Sequence, residues 1–357
     1  MAAHVVHLAD LAAVGHHVDG LAVVLHIQPV ADLHAVAVHG QLLVVLDVVD
    51  HQGDQLLREL VGAVVVGAAG NVHGHAVGIV ECHNEHIGAN GHYGSCVNAG
   101  LGIATGKYFK ILDADDWFDT SALVEFLQKL ETCDTDLVIT LRVDEIFDKD
   151  KKVDEIKHSF CSVFKDHVYR TDEFYIRTHS YEAEFGMNGM AYKTSLLKEM
   201  NFRLLEGINY TDTLYCFLPY SRVKDFIVYD LYLYHYRMGR EGQSVDTESQ
   251  KKNLMQIVHM VEAMFEKMDK ENVGKHVRKN QAYFVDGAVN FCLLSLKMQS
   301  RISSSDYSEF EKLIKHIKTY RVRHKLFKKW YLKLWWVTEK AVVLDYALRF
   351  HSFVSVK

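Results

Sequence analysis

The first 80 residues of this 357-residue chain contain no Lys, Ser, Thr, Phe, Tyr, Trp or Cys. They hold instead ten of the 22 histidines and an excess of Val and Ala. Their charged residues are seven acids and Arg58, so the segment carries −6, the formal charge of the whole chain. Beyond residue 80 the usage is ordinary, with 39 basic residues against 39 acidic ones. Two readings compete for the segment. One is a divergent but folded α/β half, with β-like runs at Leu42-Leu43-Val44-Val45-Leu46 and Val61-Gly62-Ala63-Val64-Val65-Val66. The other is a frame or gene-model artefact: on the opposite strand Asp codons become Val or Ile, and many Lys and Glu codons become Leu or Phe. Reading the nucleotide sequence in all six frames separates the two.

Other absences narrow the class. The six cysteines are scattered with no CxxC spacing, which argues for reduced thiols in a cytosolic setting and against a zinc site or a disulfide framework. His16, His17, His73 and His75 have no Cys or carboxylate partners at ligand spacing, and their number follows the general His bias. No stretch of about 18 residues is free of His or charge, so a membrane-spanning helix is not expected. The N-terminus has no basic region ahead of its apolar residues and makes a poor signal peptide. An apolar fraction of 49% with 24% charged residues is enough for a large α/β domain with a helical extension.

What is present is most telling at Tyr108-Phe109-Lys110-Ile111-Leu112-Asp113-Ala114-Asp115-Asp116-Trp117-Phe118-Asp119. A short apolar strand runs into three carboxylates, which repel one another unless a cation or solvent separates them. Hard oxygen ligands at a strand mouth suit Mg²⁺ or Mn²⁺, and so a phosphate-bearing substrate. The alternative is a solvated acidic turn. Around the cluster, helices are expected at 95–105 and 121–130 and strands at 107–112 and 136–141, with alternation continuing to Phe147. This α-β-α-β order implies a mostly parallel sheet whose ligands bind beyond the carboxyl ends of the strands. Residues 150–180 are less regular and are expected to cover the open face. A helix is expected at 194–200 and a strand at 223–236. From residue 246 to about 345 the chain reads as almost all helix with a break at Gly274. Leu254, Ile257, Val258, Val261 and Phe265 form one apolar stripe; Phe284, Ala288, Phe291, Leu294 and Met298 form another. In 321–336 a basic segment places Val322, Leu326, Phe327, Trp330, Tyr331, Leu334 and Trp335 on one face, which suits either an anionic membrane surface or an ordinary packing helix.

Three blocks resemble a family 2 glycosyltransferase of GT-A fold, over roughly residues 84–246. They are Asn90-Gly91-His92-Tyr93-Gly94-Ser95-Cys96-Val97-Asn98-Ala99-Gly100; Ala104-Thr105-Gly106-Lys107-Tyr108 leading into the acidic cluster; and Tyr210-Thr211-Asp212-Thr213-Leu214-Tyr215 followed by 236–244. The resemblance implies an α/β chain in three parts. An atypical segment, 1–80, stands in place of the first nucleotide-binding β/α units; 81–246 is the catalytic domain and 247–357 a helical region. It implies a Mg²⁺ or Mn²⁺ ion at Asp113 and Asp115 that neutralises the diphosphate of a nucleotide sugar, most simply a UDP-sugar. Asn90, Gly91, Gly94, Asn98, Asp113 and Asp116 fall to donor binding, and Arg240 and Gln243 to a clamp over the diphosphate. Asp212 matches the base that takes the acceptor proton in an inverting transfer; its alternative is a helix cap. For Asn98 the alternative is likewise a cap or turn.

The chain departs from the family pattern in two places. Thr211 stands where a second acid is usual, and 1–80 lacks the opening strand and nucleotide motifs. An inactive GT-A-fold binding protein is therefore the alternative, and a haloacid-dehalogenase-type phosphotransferase is a weaker one, since Trp117 replaces the Thr or Val expected there. The acceptor is expected to be a glycan or lipid-linked hydroxyl. The chain is expected to be cytoplasmic, peripheral on the inner membrane face through 321–336, with no nucleic-acid partner.

Overall fold

The computed structural model describes residues 21–26, 42–48, 79–83, 92–104, 106–113, 116–148, 151–158, 165–176, 185–239, 247–322 and 325–355. The chain divides into two compact units, Met1–Arg240 and Glu241–Lys357. Val61 to Val66 and the four histidines at 16, 17, 73 and 75 lie outside the described residues.

The first unit is built on one ten-stranded sheet. Strands β1 (Leu21–His26), β2 (Leu42–Val48) and β3 (Ile79–His83) run parallel, and β1 also pairs in parallel with β4 (Tyr108–Leu112). The run Leu42 to Leu46 thus lies inside β2. Helix α1 (His92–Ile103) precedes β4, and the two-residue β5 (Trp117–Phe118) follows the acidic turn. Helix α2 (Thr120–Thr132) starts where Asp119 Oδ1 accepts from Ala122 N at 2.8 Å, an N-cap that satisfies one of the free amides of the first turn. Its Leu123, Phe126, Leu127 and Leu130 are all buried against Tyr108, Leu112, Val138 and Leu233 of the sheet. At roughly 1.5–3 kcal/mol for each such side chain, this helix–sheet layer is what fixes β4 and its terminal turn to the core.

Strand β6 (Leu137–Asp148) is a single twelve-residue strand, and its outer half pairs with β7 (Lys151–Lys157). Short strands β8 (Val168–Arg170) and β9 (Met190–Lys193) lead to helices α3 (Thr194–Glu199) and α4 (Asp212–Phe217), and β10 (Asp225–Met238) closes the unit. Strand order is β3-β2-β1-β4-β9-β6-β10-β5. β9 is antiparallel to both β4 and β6, so the sheet is mixed, although its framework pairs (β1 with β2, β3 with β2, β1 with β4, β6 with β10) are parallel. The expected cover over 150–180 proves to contain β7 and β8, each hydrogen-bonded to the sheet edge-on.

The second unit is helical: α5 (Thr247–Lys252), α6 (Leu254–Lys270), α7 (Lys275–Lys297), α8 (Tyr307–Thr319), α9 (Trp330–Thr338) and α10 (Ala341–Ser355). Gly274 caps α7, where a break was expected. The α6 stripe is buried as expected; of the α7 stripe Phe284 and Ala288 are buried, and other residues complete the buried face. Val285, Val289, Cys292 and Leu296 are buried, while Leu294 is exposed. The segment 321–336 is not one helix. Arg321 takes a left-handed φ of 56°, a 3₁₀ turn spans Lys325–Lys328, and α9 begins only at Trp330. Of the residues expected to share one face, Val322, Tyr331 and Trp335 are buried, as in the packing alternative, while Trp330 and Leu334 are exposed. None of the described helices is long and apolar enough to cross a membrane.

Candidate active site

The acidic turn leaves the C-terminal end of β4, where a parallel strand presents groups beyond the sheet edge. Asp116 N donates to Asp113 O at 3.1 Å and closes the turn. Both carboxylate oxygens of Asp116 are tied to β10. Tyr234 Oη donates to Oδ2 at 2.6 Å, and Arg237 N donates to Oδ1 at 2.8 Å. The same Tyr234 hydroxyl accepts from Asp113 N at 3.2 Å. One fully buried phenol therefore holds both ends of the turn, and Asp113 and Asp116 stay partly open to solvent. Burial, and then the carboxylates of Asp113 and Asp116, push the Tyr234 hydroxyl well above its usual pKa, so it stays protonated as a donor.

Behind the turn lies Lys110, a fully buried cation in the middle of β4. Its Nζ donates to Asn188 O at 2.7 Å and sits 5.8 Å from the Phe118 ring and 5.9 Å from the Tyr234 ring. Burial pushes its pKa down to about 7. Beside the turn, Trp117 stacks on His235 with ring centroids 5.4 Å apart. His235 Nδ1 lies 2.7 Å from Glu145 Oε1, and Glu145 is also paired with Lys152. These contacts fasten the turn to β6 and β10 as well as to β4.

Helix α1 carries the second expected element. A Cβ at Gly94 would lie 1.9 Å from Leu205 O, so only glycine permits the helix to come this close to the 204–206 backbone. Asn98 completes that junction: Nδ2 donates to Leu204 O at 3.0 Å and to Glu206 Oε1 at 2.9 Å, and Oδ1 accepts from Leu204 N at 2.8 Å. The amide is thus engaged with the protein itself, neither capping its own helix nor standing open for a ligand. The loop it grips leads to Asp212.

Asp212 is the first residue of α4, and Thr211, which precedes it, makes no side-chain cap bond. Asp212 is the first helical residue and not the N-cap, and its carboxylate meets the first-turn amides of Asp212 and Thr213. Asp212 is solvent-exposed, yet desolvation by the protein around it raises its carboxyl above the ordinary range, against the opposing backbone N–H groups of Thr213 and Asp212 itself. A carboxylate reached by water inside a dense surround has both properties. α4 is fixed to β4, since Tyr215 Oη donates to Phe109 O at 3.0 Å, four residues before Asp113. At the end of β10, Gly239 has φ +98° and an added Cβ would lie 2.2 Å from Phe147 O, so this departure point also requires glycine. Asn90, Gly91, Asp115, Arg240 and Gln243 lie outside the described residues. Among the described residues, no three His, Cys, Asp or Glu side chains gather into a metal cluster.

Residues 85–196 match the profile of glycosyl transferase family 2. The matched span includes the Asn-Gly block and the whole acidic turn, which sets aside the haloacid-dehalogenase alternative, and it ends before Asp212. S. aureus TarS 1-349 in complex with UDP-GlcNAc superposes with a TM-score of 0.56 at 13% identity, over 95% of this chain and 92% of that one. The same protein with UDP gives 0.54 at 13% identity over the same shares. Longer S. aureus TarS gives 0.54 at 13% identity, over 92% of this chain and 54% of that one. At such identity the likeness is one of fold, and the fold is GT-A. No curated protein matches the chain by sequence.

Asp113, Asp116 and Asp212 were candidates by sequence; Tyr234, Lys110 and the His235–Glu145 pair, which brace the same turn, were not. Lys110 carried a signal, since a lysine inside an otherwise apolar strand ahead of an acidic turn is rarely idle. Tyr234 carried none, being one of several tyrosines alternating along β10.

Proposed function

We propose that the chain moves a sugar from a uridine-diphosphate donor to a hydroxyl of a glycan or lipid-linked acceptor, with inversion at the anomeric carbon. The observation that carries the reading is the acidic turn of β4, clamped by Tyr234 while α4, with Asp212 at its start, is pinned to the same strand. The UDP-GlcNAc and UDP held by S. aureus TarS favour a uridine nucleotide as donor.

The donor set at the strand mouth suits a hard divalent cation. Asp113 offers carboxylate oxygen partly open to solvent, Asp115 lies two residues on, and both oxygens of Asp116 are already engaged in bracing the turn. Asp113 and Asp115 would hold Mg²⁺ or Mn²⁺, which supplies charge neutralisation for the departing diphosphate. Arg240 and Gln243 follow directly on Gly239 and are suited to close over the same phosphates. Asp212 accepts the proton of the acceptor hydroxyl as its oxygen attacks the anomeric carbon; the C–O bond to the diphosphate breaks, and a uridine diphosphate leaves. A raised pKa makes Asp212 a better base than an ordinary aspartate, provided it is ionised at the working pH.

Calorimetry with UDP and Mn²⁺ on the full chain tests the reading. Metal-dependent binding that disappears in Asp115→Ala is expected. Asp212→Asn should keep UDP binding and lose transfer, and the wild-type rate should fall with falling pH as Asp212 takes a proton. Absence of metal-dependent UDP binding would overturn the enzyme reading in favour of a non-catalytic binding protein.

A further inference from the structure

The C-terminal hairpin α9–α10 has two unlike faces. One is packed into the helical unit. Leu332, Trp335 and Leu344 are fully buried, the rings of Phe310 and Trp335 lie 6.0 Å apart, and Asp345 accepts from Ile302 N at 2.9 Å. On the other side, Trp330, Leu334 and Val337 of α9 are exposed, as are Tyr346 (68%), Phe350 and Phe353 (64%) of α10. The rings of Trp330 and Phe350 lie 6.0 Å apart, so the two helices contribute to one continuous surface. Of the thirteen large apolar side chains exposed among the described residues, eight fall between 330 and 354. Singly scattered apolar residues need no explanation, but a concentration of this kind marks an interaction surface.

Charge says what it would meet. Residues 321–357 hold nine Lys and Arg against two acids, a formal +7 in a chain of −6. Both acids are already engaged, Glu339 with Lys318 at 2.6 Å and Asp345 with Arg349 at 2.6 Å. Lys325, Lys328, Lys329 and Lys333 lie before and within α9, alongside the aromatic surface. A soluble polyanion would satisfy the lysines and leave the aromatics in water. A second copy docked face to face would bury the aromatics and oppose two +7 segments. An anionic bilayer satisfies both: basic side chains reach the headgroups while Trp, Tyr and Phe enter the interfacial layer.

We infer that the exposed face of α9–α10, centred on Trp330, Tyr346, Phe350 and Phe353, lies flat on an anionic lipid surface. Of the face expected over 321–336, Val322, Tyr331 and Trp335 are core, while Trp330 and Leu334 remain on the exposed surface and are joined there by residues of α10. The inference does not depend on the transferase reading, because lipid binding is measured without donor or acceptor.

Vesicle co-sedimentation decides it. The full chain should bind phosphatidylglycerol-containing vesicles, bind pure phosphatidylcholine vesicles at least tenfold more weakly, and be released as salt is raised. Phe350→Ser with Phe353→Ser, both at exposed positions, should weaken binding about tenfold or more while thermal unfolding and metal-dependent UDP binding stay as in the wild type. Lys328→Glu with Lys329→Glu should do the same by removing charge. Failure of the wild type to bind anionic vesicles overturns the inference, as does equal binding to neutral ones. So would sedimentation equilibrium showing a dimer that the Phe350/Phe353 variant loses, since the face would then be a self-association surface. Intact UDP binding alongside absent lipid binding would sink this inference alone.

Discussion

Replacing Tyr234 with Phe removes one oxygen and leaves the ring beside both Phe118 and Lys110. That oxygen donates to the Asp116 carboxylate at 2.6 Å and accepts from Asp113 N at 3.2 Å. A hydrogen bond to a charged acceptor contributes about 1.5–3 kcal/mol and a neutral one about 1 kcal/mol. Because Asp116 is partly open, water recovers some of the first, which leaves an expected loss of about 2–3 kcal/mol of unfolding free energy. The functional effect should exceed the stability effect under native conditions. With Asp113 N untethered, the turn keeps its own Asp116 N to Asp113 O bond but loses the phenol that anchors both ends to β10. A displacement of order 1 Å at a reacting centre costs roughly a hundredfold in rate. Urea denaturation followed by tryptophan fluorescence measures the first quantity; calorimetry with UDP and Mn²⁺ measures the second. A variant within about 0.5 kcal/mol of wild type, with unchanged UDP affinity, would refute the idea that Tyr234 organises the turn.

Asn98→Ala removes three hydrogen bonds between α1 and the 204–206 loop and should cost about 2–3 kcal/mol in thermal or urea unfolding; because the loop leads to Asp212, kcat should fall more than KM rises. Asn98→Asp should not rescue it, since its carboxylate would face Glu206. Lys110→Met tests the buried cation. Burial lowers the lysine from its ordinary 10.5 to about 7, so between those values the unfolded chain holds a proton that the folded one lacks. Wild-type stability therefore rises with pH across that window, and the penalty is complete below about 7. The methionine variant should be the more stable protein at about pH 6, and its advantage should shrink steadily toward about pH 10. An unchanged pH slope in urea unfolding would show that Lys110 is not the group responsible.

Elements with a clear period were legible in the sequence, and those held only by their neighbours were not. Helix α2 and strands β4, β6 and β10 appear within a few residues of their expected limits, because each carries an apolar face matching its geometry. β7, Lys151–Lys157, has every residue exposed and no apolar alternation; only its hairpin with β6 makes it a strand. β9 is four residues long, and its insertion antiparallel between β4 and β6 is a long-range pairing with no local signature. In α7 Phe284 and Ala288 of the expected stripe are buried, but Phe291-Cys292-Leu293-Leu294 is apolar on every side, so the pattern alone put Leu294 inward. In the site, carboxylates were identifiable by type and spacing. The partners that orient them were not, because hydrogen bonds from Tyr234 and to Leu204 depend on chain segments more than a hundred residues away.

That separation has a consequence during synthesis. The acidic turn emerges from the ribosome early, but the phenol that fastens it lies 118 residues beyond Asp116 and 121 beyond Asp113. Until β10 has been made and has paired with β6, the carboxylates of the nascent chain sit on an untethered loop. Loop-closure entropy over such a span makes this one of the later contacts to form. A ribosome-bound chain that ends before Asp225 would present the acidic residues without the strand that holds them, and so a translating protein braces its acidic turn only as the first unit is completed.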